Sequence, residues 1–161
     1  LASIAPDLQV LDHGHGVRPG AIREGAWVLA RGFQAFPAGT VHLAVVDPGV
    51  GGERRGLVAA AGGRLFVGPD NGLLAPAVRR AKQVDAWRID WRPARLSASF
   101  HGRDLFAPVA VVVPLTISTA VGAEGRAYRR DARLVAIELE RRLEEYVLDH
   151  RHPLALELAG I

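Results

Sequence analysis

The chain is 161 residues long and 49% apolar, with a formal net charge of +3 and neither cysteine nor methionine. That length suits one domain with a real core. The missing cysteines exclude disulfide frameworks and thiolate metal sites, and no apolar run reaches the roughly 18 residues that a membrane span needs.

The isoelectric point of about 10.1 sits oddly beside so small a charge until the bases are named. Lys82 is the only lysine, and arginine does not titrate in the useful range. Acids and bases are interspersed without a long basic block, which reads as a solvated surface and not as a nucleic-acid footprint. No signal-peptide pattern opens the chain, so a cytoplasmic protein is expected.

In chain order, Leu1-Ala2-Ser3-Ile4-Ala5-Pro6 reads as the end of a helix, and the first strand of the domain is expected to be missing before it. Residues 8–11 (LQVL) predict a short buried strand. His13 and His15 alternate as on one strand face and are candidate metal ligands, but no third ligand follows at matching spacing. Residues 21–36 carry Ile22, Ala26, Leu29, Ala30 and Phe33 at helical spacing, and Pro37 and Gly39 end that helix. Residues 40–46 (TVHLAVV) are β-branched and almost all apolar, which predicts a central strand buried on both faces.

Residues 57–61 and 64–67 predict a hairpin around Gly62-Gly63. A helix is expected over 73–82, a strand over 84–91, and a helix over 104–113 with Leu105, Phe106, Val109 and Val112 inward. Alternating strands and helices favour a three-layer α/β sandwich. A domain is expected over residues 1–113. Residues 114–161 are expected to be an unassigned tail with a charged helix at 132–148, where Glu138 and Arg142, and Arg141 and Glu145, stand at helical spacing.

Three polar segments carry the chemistry: VDPGVGGERR (46–55), VGPDNGLL (67–74) and SFHGRDLFAP (99–108). Asp47 follows a strand, where ligands gather in open α/β sheets, and its carboxylate can take a proton or orient a water. Asp-Pro-Gly is equally ordinary turn chemistry. Gly49, Gly51 and Gly52 allow close backbone approach to a ligand, but no Gly-Lys-Ser/Thr follows, so this is not a Walker A loop. Asp70-Asn71 fits a helix cap and tight turn. His101 and Gly102 precede a helix whose free N–H groups suit bound polar atoms.

Taken together, in this order and near these intervals, the segments resemble the S-adenosylmethionine (SAM) hydroxide adenosyltransferase family, relatives of the fluorinating and chlorinating enzymes. HGHGVRPGAIREGAWVLARGFQAFPAGTVHLAVV upstream fits the same progression, so the resemblance covers residues 1 to about 110.

It implies a fluorinase-like α/β/α N-terminal domain and hydrolysis of SAM to adenosine and L-methionine. By the same resemblance Asp47, Arg54 and His101 would activate the water, and Ser99, Phe100 and Gly102 would lie along the substrate. Gly20 would stand where relatives can carry an adenosine-contacting aromatic residue. Halide-using relatives commonly place Tyr at the Asp and His positions, which favours the water-using branch here. A halide adenosyltransferase and a non-catalytic adenosine- or SAM-binding protein are the alternatives. The resemblance further implies SAM as substrate with no cofactor or metal, and a homotrimer with sites between subunits. It does not extend to the family's C-terminal β-rich domain, whose motifs find no match after Ala110.

Overall fold

The computed structural model describes residue 5, residues 8–117 and residues 156–158. Helix α1 (Ile22–Gly32) runs into a single 3-10 turn at Phe33–Ala35. It buries Gly25, Ala26, Leu29 and Ala30, the spacing that places side chains on one helical face.

Strands β2 (Gly56–Ala61) and β3 (Arg64–Pro69) form the hairpin. Gly62 and Gly63 both have positive φ, 57° and 71°, as a tight two-residue turn of the favoured hand requires. Strand β1 (Val41–Leu43) pairs parallel with β3, and β4 (Val84–Ile89) pairs antiparallel with β2. A short β5 (Leu156–Leu158) pairs with the outer edge of β4, giving the order β1-β3-β2-β4-β5.

Alternation along the strands divides the core between two faces. Ala59, Ala61 and Phe66 pack with Leu29, Phe33, Leu73 and Ala77, on the side of α1 and the short α2 (Ala75–Val78). Val58, Leu65 and Val67 pack with Leu105, Phe106 and Val109, on the side of α3 (Ala107–Ile117). The result is three layers, helix on sheet on helix, as the alternating pattern predicts.

Three expectations need correction. Residues 8–11 are not a buried strand: they carry no ladder partner among the described residues, and Leu11 is 61% exposed. The run 40–46 yields only Val41–Leu43, which stands at the end of the row of strands among the described residues. Past Ala44 its backbone groups find other partners, with the Val46 carbonyl accepting from the Asn71 side chain. The helix expected over 73–82 shrinks to Ala75–Val78. Asn71 holds the Leu73 N–H in a side-chain turn before it, and Arg80 and Ala81 close four-residue turns after it. The charged helix expected at 132–148 lies outside the described residues.

Before α3 the chain makes one π turn, Gly102–Phe106. Pro108 has no N–H to give the carbonyl four residues back and crowds it. In this turn the Ala107 N–H reaches the Gly102 carbonyl five residues back. Such turns recur at functional sites.

Candidate active site

Asp47 opens a β-turn closed by Val50 N–H to its own carbonyl, and Gly52 N–H closes the next turn onto Gly49. Gly51 lies at φ 78°, and any side chain there would run into the Ala98 carbonyl oxygen. Close backbone contact therefore joins the glycine loop to the segment leading into His101. Asp70 N–H donates to the Arg55 carbonyl, tying the second segment to the first.

These contacts bring the Asp47, Arg54 and His101 side chains together. Arg54 Nε donates to both Asp47 carboxylate oxygens at 2.9 Å, and Nη2 donates to Oδ2. The same Nη2 donates to His101 Nδ1 at 2.7 Å. The Arg54 guanidinium also lies over the Phe106 ring, 5.0 Å from its centre. Side-chain exposure is only 4% for Asp47 and 11% for Arg54, and His101 is 7% exposed.

This arrangement fixes the tautomer of His101. A guanidinium only donates, so Nδ1 is the acceptor and the ring proton sits on Nε2. Burial first, and the Arg54 charge second, hold the His101 pKa below its ordinary value, against the opposing pull of Asp47 and Asp104. The imidazole is thus neutral and presents an N–H.

Ser99 and Phe100 lie on the exposed loop entering His101, with Phe100 57% exposed and Arg103 5.1 Å above its ring. Gly102 packs beside Val45, and Gly20, at φ 75°, faces Pro48 of the Asp47 turn. His13 and His15 do not converge: the His13 ring lies tilted against Phe36, and His15 meets Asp12 at 3.0 Å. Among the described residues no group of three or more His, Asp or Glu is placed to hold a metal ion.

Two residues were missed as site supports. Asp104 accepts from the Ser97 N–H at 3.0 Å and fixes the loop before His101. Phe106 is both core and platform for Arg54. The only signal for Asp104 is its place in the motif SFHGRD, seven residues after Ser97; Phe106 carries none beyond its apolar period.

The sequence profile of the SAM hydroxide adenosyltransferase N-terminal domain matches residues 1–120. The chain belongs to this family. It is 52% identical over 119 residues to a protein of Salinispora arenicola named (R)-S-adenosyl-L-methionine hydrolase, an alignment covering 71% of this chain and 45% of that one. A fluorinase of Actinopolyspora mzabensis is 25% identical, over 66% of this chain and 44% of its own. A crystal structure of an uncharacterized conserved protein from Thermotoga maritima has the same fold, with a TM-score of 0.65 and 38% identity over 68% of this chain and 44% of that one. The chain thus spans about half the length of the family members it matches.

Proposed function

We propose that the protein hydrolyses SAM to adenosine and L-methionine, with Asp47, Arg54 and His101 handling the water. The buried Arg54 bridge between Asp47 and His101 carries this reading. The water oxygen attacks ribose C5′, the C5′–S bond breaks, and its electron pair stays on sulfur. Methionine leaves as a neutral thioether, so the leaving group asks for neither a general acid nor a metal. The demand falls on the nucleophile, because neutral water attacks carbon poorly.

Three of the roughly four acceptor positions of the Asp47 carboxylate face Arg54. The remaining one, on Oδ1, takes the water proton. His101 donates Nε2–H to the water oxygen and keeps it oriented, instead of relaying the proton, because its Nδ1 lone pair is committed to Arg54. Removing a general base typically costs about 10²–10⁴-fold, and in-line placement of water and C5′ contributes on the order of 7–11 kcal/mol at best. The trio has no net charge, so it does not repel the sulfonium. Ser99, Phe100, Gly102 and Gly20 bind the substrate around it.

The active assembly is a cytoplasmic homotrimer in which residues 1–113 supply this half of the site. Incubation with each sulfonium epimer of SAM, followed by chromatography, should yield adenosine and methionine without added halide. Intact SAM binding without adenosine would overturn the reading in favour of a binding protein, and a halide-dependent 5′-halo product in favour of a halide adenosyltransferase.

A further inference from the structure

Asp47 and Arg54 come from opposite ends of a loop between β1 and β2, so something must hold those ends at one separation. The second segment does this from outside the loop. Asn71 Nδ2 donates at 2.9 Å to the carbonyl of Val46, the residue before Asp47. One residue earlier, the Asp70 N–H donates at 3.0 Å to the carbonyl of Arg55, the residue after Arg54. Two consecutive residues thus grip both flanks of the ion pair. The Asn71 side-chain Oδ1 in turn accepts from the Leu73 N–H at 3.2 Å, which anchors the grip to the buried Leu73 and Leu74. Gly68 completes it: a side chain there would strike the Ala44 carbonyl oxygen, so β3 presses against the chain just ahead of Val46.

We infer that Asn71 is a positioning residue, which sets the Asp47–Arg54–His101 geometry by holding the Val46 carbonyl. Its side chain hydrogen-bonds to backbone groups of Val46 and Leu73 and not to the side chains of the three. An Asn is suited to the task because one end must donate and the other accept. Asp at this position keeps the acceptor for Leu73 but sets a carboxylate against the Val46 carbonyl. The importance of Asn71 to turnover rests on the proposed hydrolysis; its hold on the trio does not.

Two variants and a control test this. Asn71→Asp keeps the turn at Leu73, loses the donation to Val46 and adds a carboxylate facing that carbonyl; Asn71→Ala loses both bonds without adding a charge. Asp70→Ala is the control, since it keeps the backbone N–H that reaches Arg55. The first readout is the ¹⁵N NMR spectrum of His101 across a pH titration, which needs no SAM. In the wild type it reports an Nε2–H ring. In both Asn71 variants the titration should move up toward that of an ordinary histidine as Arg54 slips from Nδ1. The control should match the wild type.

The second readout is turnover of SAM. Misplacement of reacting groups by about 1 Å costs on the order of 100-fold, so kcat should fall about 10- to 100-fold in Asn71→Asp while KM stays within about twofold. A wild-type His101 spectrum in a folded Asn71→Asp protein would overturn the inference, as would an unchanged kcat. Should the wild type fail to hydrolyse SAM while the charge-neutral Asn71→Ala still shifts His101, the positioning role stands and the proposed reaction falls.

Discussion

At the scale of single residues, the decisive feature is that one guanidinium serves two acceptors. Arg54 neutralises Asp47 and simultaneously commits the Nδ1 of His101. None of this could be read from the spacing of the three residues, which says only that they lie on neighbouring loops. Tautomer and division of labour follow from which atoms meet. Asp47→Ala should therefore do two things. Turnover should fall by about 10²–10⁴-fold, measured as adenosine formed. The protein should also lose about 3 kcal/mol of stability in urea denaturation, because a nearly buried Arg54 is left without its counter-charge. The residue types were legible in the three motifs; the energetic coupling between them was not, because it depends on burial.

At the scale of elements, the local signals were faithful where structure is local. Gly62-Gly63 announced the hairpin, and the 3.6-residue period of Ala26, Leu29, Ala30 and Phe33 announced α1. They failed where a segment depends on partners distant in sequence. Residues 8–11 have a strand's composition and no ladder to join among the described residues. Residues 44–46 have it too, but the Val46 carbonyl is taken by Asn71. The glycine loop shows how close two elements must come. Gly51→Ala should both strain a φ of 78° and push the loop off Ala98, whereas Gly72→Ala carries a φ of 92° with open space around it. The left-handed strain costs roughly 1–2 kcal/mol at either position. Thermal denaturation should therefore show a larger loss for Gly51→Ala, and only that variant should disturb the His101 spectrum.

At the scale of the whole molecule, three layers place the trio where the loop after β1 meets the entry to α3. The same packing buries a second histidine. His42 stacks on Phe66 at 5.0 Å, lies edge-on to Phe33 and Phe36, and leaves its Nε2 without a partner among the described residues. Burial first, then the charges of Arg64 and His13, lower its pKa to about 4. The unfolded chain takes up that proton near pH 6.5 while the folded one refuses it until about pH 4. Stability is therefore complete above pH 6.5 and falls as the pH drops toward 4, by about 3 kcal/mol in all. Urea midpoints at pH 7.5 and 4.5 should differ accordingly, and His42→Phe should shrink the difference.

The π turn before α3 has an evolutionary reading. A π turn holds one residue more than an α-helical turn, so its length sets the register between His101 and the core of α3. Deleting one residue between Gly102 and Phe106 would swing His101 by about 100° around the axis relative to α3. Lineages carrying this prolyl helix are thus expected to tolerate exchange of side chains along the turn far better than any change in its length.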